Sequence, residues 1–539
     1  MNTHYASIWE QIADQCGDQN AVIQGPRLLS WEAFENRSAR LASVMQQAGL
    51  KPDSKVATYL YNCPELLEAR FAALKQCYVP VNVNYRYVAD EVLYILDNSD
   101  SEAVFFHSSL AHIVEAVRPH APNVRLWIEV KNSDDHLDGA LLYEDCLGSA
   151  EPAQRINRSP DGIQLIYTGG TTGLPKGVMI RIGNAVASGL GLAANIGIPL
   201  ATPENAVKLA VQLSREGNLP RSLVPCPLIH GTGLQLGANP YLTVGGCIIF
   251  PTSQRFDAAE VWQEVDRLGA THMTIVGEPM ARPLLKALLE QPDVSASSLA
   301  YLASSGAMFS RETKEALVQR LPKLTIFDLM SSTEGSLGKS FYSKDSTPET
   351  SRFILNPAAR VFDDDDHEIE PGSEQVGHLA VSGAIPLGYY KDPEKTARTF
   401  RLINGTVWSF PGDYASVDTS GQIKLLGRGS SVINTGGEKV FVEEVEEAIK
   451  RVMGVDDCLV FGLAHQQFGQ QVTALVSPRS FAGKNAMKDR LLKVMAAYKV
   501  PKLFFYTDAV PRGPNGKADY SAARRMAEEN MNPNQMETL

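Results

Sequence analysis

Cysteine is sparse in this 539-residue chain: the seven at positions 16, 63, 77, 146, 226, 247 and 458 form no CxxC pair and show no metal-ligand spacing with histidine. They give no basis for a disulfide framework or a cysteine metal site and are expected to be small buried residues of a reducing compartment. Long apolar runs are missing too. No uninterrupted stretch approaches the roughly 20 residues a membrane span requires, and the N-terminus has no basic segment leading into an apolar one. Positive charge is not in excess either: 50 Lys and Arg stand against 61 Asp and Glu, a formal charge of −11. That argues against nucleic acid or an anionic membrane surface as the main partner. A cytoplasmic globular protein is expected, and its length exceeds what one hydrophobic core usually serves, so two or more folding units are expected.

What the chain does have is Tyr167-Thr-Gly-Gly-Thr-Thr-Gly-Leu-Pro-Lys-Gly177, directly after the mostly apolar run Ile163 to Ile166. The pattern predicts a strand emptying into a glycine-rich loop. Gly169, Gly170, Gly173 and Gly177 let the backbone take positive φ and approach a ligand closely. Thr168, Thr171 and Thr172 add hydroxyls and Lys176 a positive charge, a combination suited to a polyphosphate. It is not a Walker A loop, because GxxxxGK[ST] needs Ser or Thr after the lysine and Gly177 stands there. A plain surface turn would not call for three hydroxyls and a lysine set among the glycines.

Strand and helix patterns alternate up to about residue 330, with a strand at Val56 to Leu60, a helix at Glu65 to Gln76 and a strand at Tyr78 to Val83. This favours an α/β fold of parallel sheets covered by helices. The stretch 195 to 222 shows no clear period and is expected to be a surface loop. From about 345 to 427, short apolar runs separated by turns such as Asn404-Gly405 predict an antiparallel β-rich subdomain. Asp363 to Asp366 fits a solvated hairpin tip better than a metal site. Val442, Val445, Ile449 and Val452 form a helical core stripe.

The run from Tyr167 to Gly177 resembles the phosphate loop of the adenylate-forming enzymes: acyl-CoA synthetases, luciferases and the adenylation domains of peptide synthetases. Further segments match in family order as far as residue 517. The resemblance implies a large N-terminal domain, 1–427, containing the β-rich subdomain, and a small mobile α+β domain, 428–539. It also implies ATP, Mg²⁺ and CoA, and two steps: a carboxylate attacks the α-phosphate to give acyl-AMP and pyrophosphate, then a thiol displaces AMP.

On the same resemblance, Thr168, Gly169, Gly170, Thr171, Thr172 and Lys176 bind ATP. His230 in Val224-Pro-Cys-Pro-Leu-Ile-His-Gly-Thr-Gly233 would be an ordinary core histidine if taken alone; its place after the phosphate loop matches the family position that lines the carboxylate pocket. Ser305, Gly306 and Ala307, ending the run from Leu299, floor the adenine and acyl sites. In Phe327-Asp-Leu-Met-Ser-Ser-Thr-Glu-Gly335, Glu334 is the magnesium candidate, joined by Thr171, since Mg²⁺ takes oxygen ligands. Thr333 contacts phosphate and Asp328 the adenine amino group. Met330 and Ser331 replace the family's usual aromatic and glycine, leaving a polarizable thioether to cover the ring.

Asp413 and Arg428 are the ribose candidates: a carboxylate accepts two hydrogen bonds from a vicinal diol, and a guanidinium stays charged. Ser430 stands at the hinge, where the family has Asp or Lys. Gly436 and Gly437 line the pantetheine tunnel. Lys517 in Val510-Pro-Arg-Gly-Pro-Asn-Gly-Lys517 bridges the substrate carboxylate and the α-phosphate. The segment Ala72 to Leu93, also similar to acyl-CoA synthetases, is taken as a strand and structural turn.

The expected function is thus a stand-alone AMP-forming carboxylate–CoA ligase, with Lys517, His230 and Glu334 as catalytic candidates. Its partners are ATP, CoA and an apolar carboxylic acid of fatty, branched, aryl or steroid side-chain type, with a homodimer as the candidate assembly. The run Gly231 to Gly237 lacks an aspartate to pair a substrate ammonium, which disfavours amino acids. An acyl-AMP ligase feeding a carrier protein, a luciferase-like oxygenase and a non-catalytic nucleotide sensor are the alternatives.

Overall fold

The alternation of strand and helix in the first 330 residues builds two mainly parallel sheets. The computed structural model describes residues 3–531 apart from 171–172, 308, 346–353, 374, 429–431, 436–437, 454, 466–468, 479–483, 493–494, 496 and 514–517. The chain divides into two units, Met1–Pro357 with Val381–Ser409, and Ala358–Ala380 with Phe410–Leu539.

In the first unit one sheet has the order Gly388–Tyr389, Gly173–Arg181, Ile163–Gly170, Val79–Asn82, Lys55–Tyr59, Ser101–His107, Leu126–Val130, Leu141–Leu142. From Ile163–Gly170 onward all neighbours are parallel; the first two strands are added antiparallel. The second sheet places Cys247–Phe250, Arg221–Leu223, His272–Ile275, Tyr301–Ser305 and Thr325–Ser332 side by side in parallel. The strand Leu126–Val130 is buried throughout, as a strand covered on both faces must be, and its one charged residue, Glu129, is paired with Lys131 and His136. The helix Pro64–Lys75 is buried along its whole length, with Pro64 in its first turn and Lys75 in its last, matching the helix dipole.

The stretch expected to be a loop contains the helix Ala206–Arg215 and the strand Arg221–Leu223. Its buried stripe is only Ala206, Ala210 and Leu213, and interleaved polar residues obscure the period. The turn at Asn404-Gly405 is a two-residue hairpin between Phe400–Ile403 and Thr406–Ser409, with φ of 49° and 80° at its two residues.

In the second unit Asp413–Val417 pairs antiparallel with Ile423–Arg428, and Val376 to His378 pair with Ser416 to Tyr414. A five-stranded sheet follows, built on the long pair Val455–His465 and Gly469–Pro478. The helix Val442–Met453 buries Val442, Val445 and Ile449 against it; the side chain of Val452 lies outside the described residues. Asp363 accepts the backbone N–H groups of Asp365 and His367 in an exposed turn, the hairpin tip expected there.

Candidate active site

Parallel strands deliver their C-terminal ends to one edge of each sheet, where α/β proteins bind ligands. In the first sheet these ends carry Asn82 and the glycine-rich run. That run is more ordered than a loop: Ile163–Gly170 and Gly173–Arg181 pair antiparallel, with Thr168 opposite Lys176 and Gly170 opposite Gly173. The tip, Thr171 and Thr172, lies outside the described residues, and of Gly169 and Gly170 only the backbone is described. Gly177 serves packing rather than a ligand, because a Cβ there would meet the Tyr167 ring at 2.9 Å.

Lys176 reaches across to Asp392, Nζ to Oδ2 2.7 Å. Asp392 also caps the helix Pro393–Thr399 by accepting the Lys395 N–H at 3.0 Å. Its bond to Lys176 holds its carboxyl below the ordinary value. The Lys395 ammonium lies 4.8 Å from the centre of the Tyr389 ring and is pushed down first by burial and then by Lys176. Tyr389 donates its hydroxyl to Glu334 Oε1 at 2.7 Å; burial foremost, then the Glu334 charge, raises the phenol. The Glu334 backbone is held at both ends: its N–H donates to Ser332 Oγ at 3.2 Å and its carbonyl accepts from Ser409 Oγ at 2.9 Å. Two cations and two carboxylates thus share one partly open cluster with oxygen donors around Glu334, with Thr333 in the adjoining turn.

The second sheet contributes Ser305, whose hydroxyl contacts Leu329 O at 2.8 Å and Ser331 Oγ at 3.0 Å. Gly306 follows at φ 86°, where a side chain would be strained and would crowd Thr232 Oγ1 at 3.2 Å; Ala307 continues the same turn. Met330 is half-buried on the strand opposite Gly338. Asp328 is buried and paired with Lys314 at 2.7 Å; burial raises its carboxyl against the pull of that lysine.

His230 precedes a wide π-type helical turn, Thr232–Ala238, and its carbonyl accepts the Leu234 N–H at 3.1 Å; a Cβ on Gly233 in that turn would collide with Pro227 O at 2.4 Å. Two asparagines fasten this segment to the first sheet. Asn62 donates to Val224 O and Cys226 O and accepts from Leu228 N. Asn82 donates to Tyr167 O and Ile229 O and accepts from Tyr167 N.

Asp413 is buried in the second unit and faces Arg428 across the antiparallel pair, so the two ribose candidates share one register position; only the backbone of Arg428 is described. Ser430, Gly436, Gly437 and Lys517 lie outside the described residues. Near Lys517, Arg512 bridges to Ala518 and pairs with Asp457 at 2.6 Å. Asn62, Asn82, Tyr389, Asp392 and Lys395 were not among the sequence candidates.

The AMP-binding enzyme family profile matches residues 8–390, and that of the AMP-binding enzyme C-terminal domain residues 444–517. The chain therefore belongs to the AMP-binding enzyme family, the adenylate-forming superfamily that includes the acyl-CoA synthetases. Among its relatives, the 3-oxocholest-4-en-26-oate–CoA ligase of Rhodococcus rhodochrous is 38% identical, over 97% of this chain and 96% of that protein. The medium/long-chain-fatty-acid–CoA/3-oxocholest-4-en-26-oate–CoA ligase of Mycolicibacterium smegmatis is 37% identical over 98% and 97%. In fold, the chain is similar to ATP-bound MatB from Rhodopseudomonas palustris, with a TM-score of 0.81 at 23% identity over 98% of this chain and 99% of that one.

Proposed function

We propose that this protein uses ATP to convert an apolar carboxylic acid of several carbons, fatty or steroid side-chain in type, to acyl-AMP and then to its CoA thioester. The observation that carries this is the cluster of Lys176, Glu334, Tyr389, Asp392 and Lys395 in a chain whose full-length relatives are CoA ligases for such acids. Lys176 supplies positive charge for the phosphates, and its bond to Asp392 keeps the ammonium oriented before substrate arrives, the kind of preorganisation that stabilises developing charge. The Glu334 carboxylate, with the hydroxyls of Tyr389, Ser332 and Ser409 around this residue, offers oxygen donors of the kind that suit Mg²⁺, with Thr171 as a further ligand. When bound, Mg²⁺ neutralises phosphate charge.

His230 and the turn Ser305–Ala307 bound the acyl and adenine sites, with Asp328 and Met330 toward the base and Asp413 and Arg428 toward the ribose. A domain boundary at 427/428, a hinge at Ser430, a pantetheine path along Gly436 and Gly437, and adenylation by Lys517 complete the scheme, in a cytoplasmic homodimer. Among the described residues no helix is long and apolar enough to cross a membrane.

Pyrophosphate release and thioester formation across a panel of acids, with and without CoA, test this reading. Each methylene that fits is worth about 0.8 kcal/mol of binding, so kcat/KM should rise with carbon number. Best turnover on acetate or glycine, or acyl-AMP that never passes to CoA, overturns it.

A further inference from the structure

Four charged side chains lie on the fully buried helix Pro64–Lys75. Three are neutralised within the protein: Glu65 by Arg27, Glu68 by Arg37, and Lys75 by Glu10 and Glu35. Arg70 is the fourth, and it is only 5% exposed. Its Nη2 donates to Gln164 Oε1, a neutral amide, while its Nε has no acceptor. Among the described residues no carboxylate lies within 4.0 Å of it. A buried charge left without a counter-charge is among the most costly arrangements in a protein interior. Burial brings the Arg70 guanidinium down to about 10, still protonated at neutral pH. Its field also helps hold the neighbouring His4 neutral.

Arg70 opens onto a cavity of about 30 Å³, walled by Thr58, Asn82, His230, Val81 and Leu228. At roughly 10–15 Å³ per water this holds about two waters or one small ion. The charge it lacks is negative, and the space beside it is too small for a nucleotide or an acyl chain. We propose that Arg70 and this cavity form a receptor for one small monovalent anion: a halide, or a single carboxylate of formate size. Because Asn82 and His230 line the same space, the occupied receptor brings the buried helix and the His230 segment to a common charge-neutral contact.

The test uses the full-length protein. Its thermal unfolding midpoint is measured against chloride, bromide and formate, with gluconate, which exceeds the cavity, holding ionic strength constant. A ligand bound only by the folded state at a hundredfold excess over its Kd multiplies the folded-to-unfolded ratio about 100-fold. The midpoint should therefore rise saturably with one or more of the small anions and not with gluconate. A response to halides alone identifies a halide receptor, and an equal response to formate a general small-anion receptor. Arg70→Met, close in volume and uncharged, should lose the response; bromide-containing crystals of the wild type should show anomalous density beside Arg70. Indistinguishable titrations with water alone in the cavity overturn the proposal, as does an Arg70→Met variant that responds like the wild type. If that variant does not fold, the wild-type titration and the bromide density decide the matter.

Discussion

Replacing Asn82 by alanine removes the joint between the glycine-rich hairpin and the His230 segment. The side-chain amide makes three hydrogen bonds: Nδ2 donates to Tyr167 O at 3.1 Å and to Ile229 O at 2.6 Å, and Oδ1 accepts from Tyr167 N at 2.7 Å. Tyr167 and Ile229 are buried, so water cannot freely take the place of the lost partner. At about 1 kcal/mol net per bond, the variant should be destabilised by about 3 kcal/mol. Asn82→Asp keeps the acceptor, loses both donated bonds and gains a charge, so it should be no better. The larger effect should be catalytic. Tyr167 immediately precedes Thr168 and Ile229 immediately precedes His230, and a misplacement of about 1 Å in a reacting constellation can cost about 10²-fold. Urea unfolding gives the stability term; acid-dependent pyrophosphate release on the folded variant gives kcat and the KM for ATP. An alanine variant within about 0.5 kcal/mol of wild type, the range of ordinary surface changes, and with unchanged kcat/KM would show that Asn82 positions nothing.

Lys517→Ala should lose about 10²–10³ of acid-dependent pyrophosphate release while still turning supplied acyl-AMP and CoA into thioester; equal loss in both assays refutes a role confined to the first step. Glu334→Gln should lose most ATP-dependent rate, because a neutral amide cannot replace a charged oxygen ligand, and wild-type turnover at limiting Mg²⁺ would contradict that assignment. Buried groups in the two units should make opposite local contributions to the pH dependence of stability. In the first, burial depresses His4, His107 and His272 from 6.5 to about 3, 4 and 4, so the unfolded chain takes up protons first and stability is lost as pH falls below 6.5. In the second, burial pushes Glu446 from 4.5 up to about 8, so the unfolded chain ionises first and stability is lost as pH rises from 4.5 toward 8. Hydrogen exchange by mass spectrometry, corrected for intrinsic rates, should show opposite trends across pH 4.5 to 6.5 in the peptides around His4, His107 and His272 and in those around Glu446; a shared trend in these peptides refutes the assignment of these groups.

What was legible in the sequence was what short-range chemistry dictates. The alternation of apolar runs gave the parallel sheets, Asn404-Gly405 gave its hairpin through two positive φ angles, and the glycines, hydroxyls and lysine of 167 to 177 pointed to phosphate by their chemistry alone. The partners of those residues were not legible, because they arrive from far along the chain: Asp392 lies 216 residues from Lys176 and Tyr389 lies 55 from Glu334. Asp392 shows why. Followed by Pro393, with the Lys395 N–H three residues on, it has the pattern of a helix N-cap, and one oxygen does accept that N–H at 3.0 Å. A cap uses one oxygen of the carboxylate. The other, Oδ2, is free to take a cation, and in the folded chain it takes Lys176. The helix Pro393–Thr399 thereby fixes the direction from which Lys176 is held, so a residue whose local role is to start a helix also orients the lysine of the glycine-rich hairpin. Only the sheet order, which sets Gly388–Tyr389 beside the strand carrying Lys176, makes the second role visible.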